Sequence, residues 1–114
     1  MSTVVRQGDI LLRPVAAIPT TSVEVPADPK LGVVLAYGEG HGFRHALPYG
    51  GAVLYANTET GAAYVDVKAS TTLDHLTAEN QPTGDHAPAP VEPGKYEVIQ
   101  QRQAEADRAA YRSD

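Results

Sequence analysis

Ten glycines and nine prolines punctuate this chain of 114 residues, and they separate apolar runs of strand length. Pro19, Pro26 and Pro29 exclude a helix or a central strand over residues 19–30, because proline lacks the N–H that either structure needs. Pro82, Pro88, Pro90 and Pro93 mark residues 75–94 in the same way. That span reads as one long loop, and loops beyond about 12–15 residues are usually functional or mobile.

The segments between these breaks read as strands. Residues 8–14 open on Gly-Asp and close on Pro14, and Ser22–Val25 reads as an edge strand. Residues 31–37 are the most apolar run, with Leu31, Val33, Leu35 and Tyr37 on one face at period two. Residues 43–47 place Phe43, His45 and Leu47 on one side and Arg44 and Ala46 on the other. Ala52–Asn57 and residues 62–69 are joined by Thr58-Glu59-Thr60-Gly61, a hairpin connection. Residues 70–73 continue that strand, and 95–101 form the last one. Residues 103–112, in a tail from 102 to 114, have the composition of a short helix. The expected fold is all-β: one domain spanning residues 1–114, a small barrel or a two-sheet sandwich of six to seven short strands.

Composition excludes several function classes. There is no cysteine, hence no disulfide framework, thiolate metal site or thiol nucleophile, which fits a reducing cytoplasm. The net charge is −5, and the nine basic residues are scattered. That disfavours nucleic acid as a partner. No apolar run approaches the roughly 20 residues that cross a bilayer as a helix, and the N-terminus lacks the apolar core of a cleaved signal. Trp is absent, so six tyrosines and the aliphatic residues must build the core.

Chemistry-bearing residues concentrate at residues 38–45. Gly38, Gly40 and Gly42 alternate with Glu39 and His41, and Arg44 and His45 follow. A phosphate loop would need a Lys-Ser/Thr pair and a following helix. Neither is present, so the glycines are read as a corner between strands. Glu39, His41, Arg44 and His45 form the expected ligand-binding set. Glu39 with either histidine makes an acid–base pair, and Arg44 suits a carboxylate or phosphate.

Histidines around an open position hold zinc, iron or manganese. Along one strand His41 and His45 stand about 13 Å apart, too far to share an ion. The metal set is therefore His45, His75 and His86, with Glu39 as a carboxylate beside it. The plainer readings are polar loop histidines, a His45 hydrogen-bonded at the core rim and an exposed strand arginine. No G-x-S-x-G occurs and nothing identifies a nucleophile, so no catalytic residue is assigned.

Three stretches together carry a resemblance: Arg6-Gln7-Gly8-Asp9-Ile10-Leu11-Leu12-Arg13-Pro14-Val15, residues 35–45, and His86-Ala87-Pro88 with Pro93-Gly94-Lys95-Tyr96-Glu97-Val98-Ile99-Gln100-Gln101-Arg102. The chain resembles a family of short, uncharacterised bacterial and prophage proteins with a Gln-Gly-Asp start, a central Gly-His-x-His and a closing His-x-Pro. It departs at the centre, which reads Gly42-Phe43-Arg44-His45. Only His45 and His86 carry over, which puts a metal held by both central histidines in doubt.

Three expectations follow. The first is a non-enzymatic cytoplasmic binding module of prophage type, without cofactor, that contacts a protein partner or small ligand through the central and 75–94 loops. The second is a cupin-like protein that binds or uses a divalent metal such as Zn, Fe or Mn. The third is an assembly protein of a phage particle, a homo-oligomer for which exposed edge strands would suit.

Overall fold

The computed structural model describes residues 3–37 and 42–101. Its strands are β1 (Val5–Gln7), β2 (Ile10–Pro14), β3 (Ser22–Val25), β4 (Val33–Tyr37), β5 (Arg44–Leu47), β6 (Ala52–Asn57), β7 (Ala63–Val67), β8 (Thr71–Leu76), β9 (Ala89–Val91) and β10 (Gly94–Gln100). They form two antiparallel sheets, β1-β2-β10-β7-β6-β3 and β4-β5-β8-β9. Neither sheet closes on itself. The all-β expectation holds in its sandwich form rather than as a barrel.

Among the described residues ten strands replace the expected six or seven, for local reasons. β1 has only three residues, too few to show a period. It pairs with β2 through the two-residue link Gly8-Asp9, in the register Gln7↔Ile10. β8 is a separate strand, because the chain leaves β7 in one sheet and enters the other. β9 lies inside the span read as a proline-rich loop. Pro90 is tolerated there because β9 is the sheet edge, and the loop shortens to residues 77–88. The helix expected at 103–112 lies outside the described residues.

The hairpin between β6 and β7 forms as expected. Asn57 N donates to Ala62 O and Gly61 N to Asn57 O, both at 2.8 Å. Asn57 Oδ1 accepts from the N–H groups of Glu59 and Thr60, which satisfies the backbone of the turn.

Alternation along the strands builds one core. Ile10 and Leu12 of β2, Val65 and Val67 of β7 and Tyr96 of β10 cluster with Val33, Leu47, Leu73 and Val91 of the small sheet. Each such side chain contributes about 1.5–3 kcal/mol by leaving water. Tyr96 serves as a core aromatic because its hydroxyl donates to Glu92 O at 2.7 Å, so that its own polar atom has a partner.

Both faces of β5 are covered, and all four of its residues are buried. Arg44 is therefore not an exposed strand arginine; it is 2% exposed. Its Nε donates to Leu31 O at 3.3 Å, one terminal nitrogen to Thr77 O at 2.9 Å, and the other to Asn80 Oδ1. These bonds fasten the turns before β4 and after β8 onto the outer face of the small sheet.

Gly32 locks the same corner. Its φ is +81°, and a Cβ there would lie 2.4 Å from the backbone oxygen of Leu47. Because a backbone atom cannot give way as a side chain can, Gly32→Ala is expected to destabilise the fold by about 2–4 kcal/mol, read as a lower midpoint in urea unfolding with an unchanged slope.

Candidate metal centre

The inner face of the small sheet changes character along its length. Leu47 and Leu73 lie at its apolar end, and two residues further along β5 and β8 lie His45 and His75, which are direct cross-strand partners. Facing residues in such a ladder bring their side chains together, and the two ring centroids are 4.5 Å apart. His86 comes from the 77–88 connection. Its ring lies 4.8 Å from that of His75 and 6.1 Å from that of His45. Phe43 packs edge-on against His75 at 5.7 Å. The three histidines singled out from sequence thus meet in one place, although 41 residues separate His45 from His86.

The floor of the cluster is the β1–β2 turn, Gln7-Gly8-Asp9. Gln7 is 3% exposed. Its Nε2 donates to Leu73 O at 2.7 Å and to Ala87 O at 2.9 Å. Both amide hydrogens are then committed, so Oε1 faces His45 Nδ1 at 2.8 Å and must accept from it. This fixes the tautomer: Nδ1 carries the hydrogen, and Nε2 is the nitrogen with the free lone pair. Nε2 lies 3.2 Å from Asp9 Oδ1. The other oxygen of Asp9 accepts from Gln100 Nε2, also at 3.2 Å, and Gln101 N donates to Asp9 O.

Gly8 makes room for the third ring. A Cβ at this position would meet His86 Nε2 at 2.7 Å. Its φ of +59° at the first position of a two-residue hairpin also favours glycine. His75 has a support of its own: Nδ1 shares a hydrogen bond with Thr83 Oγ1 at 2.5 Å, while Thr83 N donates to His75 O. These two bonds fold the 77–88 connection back over the sheet.

Burial lowers the His45 pKa to about 4, with His75 adding to the effect and Asp9 opposing it. His75 is lowered too, first by burial and then by His86. At neutral pH His45 is therefore neutral, and its contact with Asp9 is not an ion pair. Among the described residues, no three His, Cys, Asp or Glu side chains already have their ligating atoms gathered at one point.

The remaining sequence candidates fall elsewhere. Glu39 and His41 lie outside the described residues. Arg44 follows from strand alternation onto the opposite face of β5 from His45. There it lines a cavity of about 350 Å³ with Asp74 and Asn80, and its bonds go to its own chain. Sequence reasoning missed Gln7, Asp9, Thr83 and Gln100 as parts of the site. For three of them a signal existed, since Gln7, Asp9 and Gln100 sit within the stretches that carry the resemblance.

The lowered imidazole pKa values set a direction for stability in chelator-treated protein. In the unfolded chain His45 takes a proton near pH 6.5, whereas in the folded chain it does so only near 4. Stability therefore falls as pH drops from about 6.5 to 4, by about 3 kcal/mol from His45 alone, with His75 acting in the same direction. Urea unfolding at pH 7 and pH 4.5 is expected to show this loss, and His45→Asn is expected to remove most of it.

No curated protein and no solved structure matches this chain. Among the described residues no helix is long and apolar enough to cross a membrane. A family model does match, over residues 6–101, and its description is Domain of unknown function (DUF8820). That span runs from the residue before Gln7 to the residue after Gln100 and so contains every side chain of the cluster; the chain belongs to this family.

Proposed function

We propose that this protein is a metal-binding β-sandwich that holds one divalent cation of the zinc, iron or manganese class through His45, His75 and His86. The observation that carries this reading is the packing of three imidazoles from separate stretches of chain, with centroids 4.5, 4.8 and 6.1 Å apart. Three imidazoles bound to one ion at about 2.1 Å, with angles of about 90–110°, have centroids roughly 4.5–5.3 Å apart. Two of the three separations fall in that range. The third closes if His86 moves inward by about 1 Å, and His86 sits on an exposed connection outside any strand.

Energetics favour the same reading. His45 and His75, whose pKa values burial lowers, keep their lone pairs for a cation and lose no proton on binding it. Buried polar rings cost stability unless bonded, and His45 and His75 each have a hydrogen-bonded partner on Nδ1. Outer partners of this kind orient metal-binding histidines. Nitrogen ligands without thiolate suit zinc and iron better than copper(I) or calcium.

Purified protein freed of metal with EDTA is expected to bind about one Zn²⁺ or Mn²⁺ per chain in calorimetric titration. At a hundredfold excess over Kd, binding stabilises the fold by about 2.7 kcal/mol. His45→Ala and His86→Ala are each expected to weaken binding by two orders of magnitude or more. Wild-type protein that shows no saturable binding of Zn²⁺, Mn²⁺ or Fe²⁺ would rule the reading out.

A further inference from the structure

We infer that Asp9 is a fourth protein ligand of this cation, through Oδ1, and that Gln7 and Gln100 are positioning residues that aim His45 Nε2 and Asp9 Oδ1 at one point. The inference rests on the three-histidine reading and completes its ligand set as three imidazoles and one carboxylate.

The argument begins with Gln7. Its amide cannot be turned round, because reversal would set its carbonyl oxygen against the carbonyls of Leu73 and Ala87. His45 Nδ1 is therefore the protonated nitrogen, and Nε2 presents a lone pair. What it meets at 3.2 Å is a carboxylate oxygen. Two acceptors at that separation repel unless a positive species stands between them. The cation that His45 Nε2 binds in the three-histidine site stands beside Asp9 Oδ1 as well. A divalent cation satisfies both lone pairs at once. Ligand atoms at about 2.1 Å from one metal, with angles of about 90–110°, stand roughly 3.0–3.4 Å apart. The observed 3.2 Å lies inside that window.

The carboxylate is also held for this purpose. Asp9 sits in a two-residue turn between paired strands, and its backbone oxygen is tied to Gln101 N. Gln100 occupies the oxygen that does not face His45. The pair of His45 and Asp9 is thus set in advance, whereas His86 must move. A carboxylate beside the imidazoles also lowers the net charge of the loaded site and adds an oxygen ligand that manganese and iron accept readily.

The test is a Co²⁺ titration, followed by visible absorption and by competition with Zn²⁺, on the full chain and on Asp9→Asn, Gln100→Ala and Gln7→Met. Asp9→Asn is expected to lose at least a hundredfold in Co²⁺ affinity and to change the absorption spectrum. The same variant is expected to leave the metal-free protein as stable as wild type or more so, because an amide can donate to Nε2. A merely structural aspartate would lower stability and leave the spectrum unchanged. Gln100→Ala is expected to lose about tenfold with the spectrum preserved. In metal-free wild type, long-range ¹⁵N–¹H correlations are expected to show His45 as the Nδ1–H tautomer, and Gln7→Met to mix the tautomers. An Asp9→Asn protein that binds Co²⁺ with wild-type affinity and spectrum would overturn the carboxylate ligand while leaving the three-histidine reading intact. Wild-type protein that binds no Co²⁺ or Zn²⁺ at all would overturn both.

Discussion

The buried amide of Gln7 is the interaction on which the arrangement of the site depends. One side chain joins three parts of the molecule that are remote in sequence: the backbone of β8 at Leu73, the backbone beside His86 at Ala87, and the ring of His45 on β5. All three partners lie within a buried or half-buried setting, where an unmade hydrogen bond costs about 1–3 kcal/mol. The geometry is therefore stiff, and its stiffness has a chemical product. It fixes which nitrogen of His45 carries the hydrogen.

The two sheets supply the frame for this contact. The large sheet ends at the Gln7-Gly8-Asp9 turn, and the small sheet brings its histidine pair to the same end. The apolar core of Leu12, Val65, Tyr96, Leu47 and Leu73 lies behind them. Polar groups gather where the sandwich opens, because that is where hydrogen bonding and partial solvent access can coexist with a rigid backbone. The outer face of β5 has a different role: the buried Arg44 holds turns in place. Strand alternation thus sends adjacent residues, Arg44 and His45, to opposite faces.

Much of this was legible beforehand. The period-two pattern of residues 43–47 and the hairpin link between 52–57 and 62–69 gave strands close to those observed, since alternation records which face of a sheet is buried; in residues 31–37 that record breaks at a register shift between Val34 and Ala36, which leaves Ala36 buried and Tyr37 exposed. Short strands carried no such record. Val5–Gln7 and Ala89–Val91 hold three residues each, and their pairing depends on partners rather than on their own pattern. The plainer reading of Arg44, an exposed strand arginine, fails because a pattern reports alternation and does not report that loops cover the second face.

The sequence by itself determined an all-β chain and the exclusion of thiol chemistry, and it singled out His45, His75 and His86 as candidates. It did so because residue type and spacing are local properties. Only the tertiary structure decided that Asp9 faces His45, that Gln7 sets its tautomer, and that Gly8 leaves space for His86. Those contacts cross up to 78 residues of chain. They follow from the register His45↔His75 and from the stacking of one sheet on the other, and no local pattern encodes either.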